Sequence, residues 1–197
     1  MPTATPPIYL GTVLLEPNRW SPGKLPSFKV SEWSAAIKQA GFDGLELWEN
    51  HAALADEAER QALATGPTPV CLLNTYAGFA NADHAAREQA VSLAQRFKVS
   101  GVKFNFGRDP ALVSEYLANL RQWAERLPPQ TRLLCECHGQ TVLEEPEAAA
   151  RHLAPLAGRV EIIVHAFAGA PANLQRWLDC FGPSITHVHV AARRGDG

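Results

Sequence analysis

Two periods of apolar and polar positions alternate along the chain. Short apolar runs rich in β-branched and aromatic residues occur at 8–16, 44–48, 70–76, 102–106, 132–138, 160–167 and 185–190. Their length and composition are those of strands. Stretches with helical spacing lie between them. One opens at Ser31-Glu32-Trp33 and closes at Gly41, and others cover 56–64, 83–98, 109–127, 147–156 and 172–181. Asp109-Pro110 reads as an N-cap followed by a first-turn proline, and Pro128-Pro129 stops the helix it begins.

Strands that alternate with helices predict βαβ units and a parallel sheet. Seven strand signals suit an open doubly wound sheet or a closed barrel. Two features select a (β/α) TIM barrel. No glycine-rich phosphate loop follows the first strand, and polar residues recur on one face of successive strands near their C-terminal ends. A barrel keeps its active site at that end. A complete barrel takes about 250 residues, with a floor near about 200. This chain has 197 residues and no eighth strand signal. The expectation is one α/β domain over 1–197, a TIM barrel incomplete at its C-terminus.

Side chains i and i+2 of a strand share a face. In LLCECHG, Leu134, Glu136 and His138 fall on one face, with Cys135 and Cys137 on the other. Glu46, Trp48 and Asn50 align on the second strand, Lys103 and Asn105 on the fourth, and His187 and His189 on the seventh. His165 aligns with Ile163 and Phe167 on the sixth. A parallel strand buried on both faces is expected to be apolar, so these groups carry a desolvation cost unless they pair or hold an ion. A carboxylate with two imidazoles suits Mn, Zn or Co.

Composition narrows the partners. The net charge is -2 with no dense Lys/Arg run, which argues against electrostatically driven nucleic-acid binding. No apolar run approaches the roughly 20 residues of a membrane span, and the N-terminus lacks a basic stretch before its apolar residues. A cytoplasmic protein with four reduced cysteines is expected. Cys135 and Cys137 point in parallel from one face, so no bridge is expected between them. Ser/Thr nucleophile motifs and a P-loop are absent.

The polar strand ends carry a resemblance. GFDGLELW at 41–48, LLCECHG at 133–139, ITHVHV at 185–190 and the following ARRGDG resemble, in order, motifs of the xylose isomerase-like TIM barrels, the sugar phosphate isomerase/epimerase superfamily. The resemblance implies a divalent ion (Mn, Zn, Co or Mg) held by Glu136 of the fifth strand and His189 of the seventh. The family's sixth-strand ligand is an Asp, and here His165 stands in its place. The family's eighth-strand acid has no counterpart up to Gly197.

The implied activity is a metal-dependent isomerase or epimerase that moves a proton next to the carbonyl of a small sugar or polyol-like substrate. The expected catalytic residues are Glu136, Glu46 and Lys103. Glu46 and Glu16 are the only candidates for a second acid/base partner, and Lys103 is read either as a substrate contact or as the ion-pair partner of Glu46. His138, Trp48, Asn105, His187 and His51 are the expected substrate contacts. Trp20 joins Trp48 as a candidate lining of a sugar pocket, whereas Trp33, Trp123 and Trp177 are expected in helix packing. Two alternatives stand beside this reading. One is a non-catalytic barrel acting as an interaction module, with a homo-oligomer an open option. The other is an endonuclease IV-like phosphodiesterase.

Overall fold

The structure is a computed structural model that describes residues 5–165, the last by its backbone, and 171–190. The ARRGDG match at 192–197, after the seventh strand, lies outside the described residues. The chain forms two compact units. The first holds the chain to Thr75 with Glu88–Val102 and Leu127–Thr131, and the second holds Tyr76–Arg87, Lys103–Arg126 and Arg132 onward.

In the first unit, β1 (Tyr9–Gly11), β2 (Gly44–Trp48) and β3 (Val70–Asn74) pair in parallel in chain order. All five residues of β2 are buried, as a parallel strand covered on both faces requires. Leu45, Leu47, Leu72 and Leu73 are the fully buried centre of this unit. Around it run α1 (Ser34–Gln39), α2 (Asn50–Ala53), α3 (Glu57–Thr65) and the greater part of α4 (His84–Phe97). Helix α1 stops where the sequence predicts. Gly41 takes φ +91° and its amide bonds to the Lys38 carbonyl at 3.1 Å, a C-terminal geometry that glycine adopts without steric cost. Asp56 caps α3, its carboxylate accepting from the Glu59 amide at 2.7 Å.

Within the second unit the strand order is β4 (Gly101–Asn105, from Lys103), β5 (Arg132–Glu136), β6 (Val160–His165) and β7 (Ile185–His189). Between them come α5 (Val113–Arg126), α6 (Pro146–Leu153) and α7 (Pro171–Phe181). Asp109 caps the turn that leads into α5, accepting from the Ala111 amide at 2.9 Å. The core is an aromatic cluster. Phe79 meets Phe104 and Trp123 edge to face, with ring centroids 5.3 and 5.5 Å away, and Phe106 packs on Tyr116. Trp123 Nε1 donates to the Arg87 carbonyl at 3.1 Å, and Asn119 donates to the Phe79 carbonyl at 2.8 Å. Seven parallel strands alternating with helices make this an incomplete TIM barrel, with no eighth strand among the described residues.

Three local expectations are corrected. The first strand does not run through 8–16. It ends at Gly11, and 3-10 turns follow at Thr12–Leu15 and Pro17–Trp20. The apolar residues Leu14 and Leu15 do not alternate with polar ones and lie exposed. Trp33 is 54% exposed, because it ends a 3-10 turn ahead of α1 and Ser34 and Ile37 provide the buried face. Trp123 and Trp177 are buried as expected. The fifth strand ends at Glu136 rather than at 138. No described helix is long and apolar enough to cross a membrane.

Candidate active site

The second unit gathers polar groups at the C-terminal ends of its strands. Glu136 is the last residue of β5 and Asn105 the last of β4. Alternation on β4 sends Phe104 and Phe106 into the aromatic core and leaves Lys103 and Asn105 on the other face. Lys103 is 2% exposed, and its ammonium contacts both Glu136 Oε2 and, at 2.8 Å, Asn105 Oδ1. It also lies 5.0 Å over the Tyr76 ring, a cation–π contact. Asn105 Nδ2 donates to Glu136 Oε2 at 3.0 Å and to the Glu136 carbonyl at 3.3 Å. The other carboxylate oxygen, Oε1, lies 3.0 Å from His189 Nδ1.

Burial explains this pairing. A carboxylate taken out of water is costly unless its oxygens meet donors and opposite charge. Glu136 is 7% exposed, and it meets an ammonium and an amide on one oxygen and an imidazole on the other. The ring of His187 stands edge-on to that of His189, with centroids 5.4 Å apart. The two residues share a face of β7, and one nitrogen of each lies within 4.8 Å of the other.

His138 is exposed beyond β5, and its Nδ1 donates to the Gly139 carbonyl at 2.7 Å. The strand alternation that would have carried it onto the face of Glu136 stops two residues earlier. The backbone of His165 ends β6 opposite His189, and its side chain lies outside the described residues. Lys103 forms an ion pair with Glu136.

Glu46, Trp48 and His51 belong to the first unit. Glu46 is buried and accepts from Asn74 Nδ2 at 2.8 Å. Trp48 is fully buried and packs edge-on to His51 at 5.2 Å, so its ring faces offer no open platform. Trp20 is 77% exposed beside Arg19. His51 and Glu16 form a closed network. The Trp48 backbone N–H donates to Thr12 Oγ1 at 2.9 Å, and that hydroxyl also lies 3.0 Å from His51 Nδ1. His51 Nε2 lies 3.3 Å from Glu16 Oε2, and a carboxylate accepts, so this nitrogen is the donor. Glu16 also accepts from the Asn18 and Ser27 amides at 2.9 and 2.8 Å. Burial pushes the Glu16 carboxyl up, but these two amides outweigh it and hold the pKa below the usual value. Glu16 is thus a loop anchor rather than an exposed acid.

The residues missed from the sequence are Asn74, Thr12 and Thr75, whose hydroxyl donates to Glu49. One signal was legible. VCLLN and GVKFN both end a strand on asparagine, and each asparagine amide clasps a strand carboxylate of its own unit, Glu46 or Glu136.

Neither a protein-family model nor a curated protein sequence matches the chain. Solved structures do match it in fold. The chain is similar to the probable 3-DHS dehydratase AsbF from Bacillus anthracis, with a TM-score of 0.68 at 19% identity over 93% of this chain and 72% of that one. It is similar to the 3-keto-D-glucoside 4-epimerase YcjR from E. coli, with a TM-score of 0.66 at 19% identity over 95% of this chain and 80% of that one. It is also similar to the IolI protein crystallised with a zinc atom, with a TM-score of 0.62 at 14% identity over 91% of this chain and 70% of that one. These likenesses are of fold, which is that of a TIM barrel, and the matched structures include a xylose isomerase-like TIM barrel/4-hydroxyphenylpyruvate dioxygenase fusion protein, with a TM-score of 0.60 at 20% identity over 82% of this chain and 29% of that one.

Proposed function

We propose that this protein is a divalent-metal-dependent isomerase or epimerase that moves a proton next to the carbonyl of a small sugar or polyol-like substrate. The observation that carries this reading is the Glu136–His189 pair at the C-terminal ends of β5 and β7. Its 3.0 Å separation suits two ligands of one ion, since donors about 2.0–2.2 Å from a metal and at right angles lie about 3 Å apart. A carboxylate with imidazoles is a donor set for Mn, Co or Zn. Glu136 and His189 would hold the ion, with His187 beside them and His165 as a further imidazole. When bound, the ion supplies positive charge to a substrate oxygen as negative charge develops there. That one solved structure of this fold is an epimerase and another holds zinc supports the same reading.

The chain's own groups supply the rest of the chemistry. Lys103 and Asn105 fix the Glu136 carboxylate in one orientation. A carboxylate so placed takes the proton from the carbon beside the carbonyl and returns it to the neighbouring carbon on the same face, whereas return to the opposite face needs a second acid. Asn105 and His187 are the flanking polar groups available to substrate hydroxyls.

The test is metal titration of stripped protein with Mn, Co, Zn and Mg, followed by solvent-deuterium incorporation into a panel of ketoses and aldoses. One of the ions is expected to raise the melting temperature, and Glu136→Gln is expected to abolish both that rise and the deuterium exchange. No melting shift with any of the four ions would sink the proposal.

A further inference from the structure

The Glu136 carboxylate meets partners on both of its oxygens. Its Oε2 is taken by the Lys103 ammonium and the Asn105 amide, while its Oε1 faces His189. Lys103 is not a surface lysine that happens to reach inward. It is 2% exposed and held by Glu136, by Asn105 Oδ1 and by the face of Tyr76. Releasing it would strand both a buried ammonium and a buried carboxylate. An ion arriving at the Oε1 and His189 side would therefore find Lys103 still in place on Oε2. It would share one negative charge with an ammonium and feel that ammonium's repulsion in a poorly screened interior.

We infer that Lys103 is a built-in competitor for the metal charge. It keeps the site neutral and folded without an ion, and it sets the affinity for the divalent ion low. This rests on the proposed metal-dependent reading, and it assigns to Lys103 a role in ion affinity apart from substrate contact. Two properties follow. The site is pre-organised when empty, because the carboxylate already has its orientation and its counter-charge. The bound ion is left with less of its charge neutralised by Glu136, and so with more to offer a substrate oxygen.

The experiment compares Mn²⁺ binding to the wild-type protein, Lys103→Met and Lys103→Arg. Free Mn²⁺ is read by its EPR signal, and the melting temperature is followed with and without the ion. Removing the ammonium is expected to tighten Mn²⁺ binding by about tenfold or more, whereas Lys103→Arg keeps the charge and holds the wild-type affinity. Lys103→Met leaves Glu136 unpaired and is expected to melt lower than wild type. Mn²⁺ is expected to raise its melting temperature by more than it raises that of wild type, so the comparison survives a loss of stability. Lys103→Met that binds Mn²⁺ no more tightly than wild type, while wild type does bind it, overturns the inference alone. Absence of binding to all three proteins overturns it together with the metal-dependent reading.

Discussion

In the first unit, His51 Nε2 lies 3.3 Å from Glu16 Oε2, and both side chains are sealed from solvent at 1% and 0% exposure. The hydrogen bond is more than a local contact. Glu16 gathers the amides of Asn18 and Ser27, so the pair ties the segment after β1 to α2. Burial favours the neutral form of the His51 imidazole.

This arrangement sets a pH dependence. Burial holds the His51 pKa below its ordinary value of 6.5, against the opposing pull of Glu16 and Glu59. The unfolded chain then binds the proton more readily than the folded one. The stability contributed by neutral His51 is fully present above about pH 6.5 and is lost as pH falls through the lowered folded value. The Glu16 carboxyl, also lowered, adds stability that is lost only at more acid pH. Thermal melts between about pH 7.5 and 5.5 are expected to show a falling melting temperature in the wild type. His51→Gln, which lacks the titrating ring, is expected to show a shallower slope. Equal slopes in the two proteins would refute the assignment.

Cys135 lies inside β5 and Cys137 one residue past its end. Cys135 is fully buried and Cys137 half-buried, and both are free thiols. The hydrogen bond to Cys137 and burial push the Cys135 thiol well above its usual pKa. A thiolate is the reactive species, so iodoacetamide is expected to label native Cys137 and to reach Cys135 only on unfolding. Mass mapping of the labelled peptide decides this, and rapid native labelling of Cys135 would contradict it.

Phe79 lies at the centre of the second unit, fully buried against Phe104, Phe106 and Trp123. Phe79→Ala removes a ring whose neighbours are themselves locked, so the cavity cannot collapse. The expected loss is about 3–5 kcal/mol, read from denaturant melts. A loss below about 1 kcal/mol would mean that the cluster is not packed as described.

Asp109 tests a cap that the sequence already announces. Its carboxylate meets the Ala111 amide at 2.9 Å, and Pro110 follows in the first turn. Asp109→Ala is expected to cost about 1 kcal/mol, and Asp109→Asn to recover most of it. An alanine variant as stable as wild type would show that the cap contributes nothing.

Sequence alone determined the parts governed by neighbours along the chain. The alternation of strand and helix, the ends at Gly41 and Asp109, and the division of β5 into a cysteine face and a glutamate face all follow from residues a few positions apart. The fold class follows from them as well, since a string of βαβ units has few arrangements. The partners of the buried charges were a different matter. Asn105 and Glu136 are 31 residues apart, and His189 is 53 from Glu136, so strand register decides which of several polar strand ends meet. Glu46 and Glu136 read alike from the sequence, each a lone acid near a strand end. Only the tertiary structure gave Glu136 an ammonium and an imidazole, clasped Glu46 with Asn74, and turned Glu16 from a candidate acid into a loop anchor. A buried carboxylate takes whichever donor the packing brings within reach, and hydrophobic periodicity carries no record of that choice.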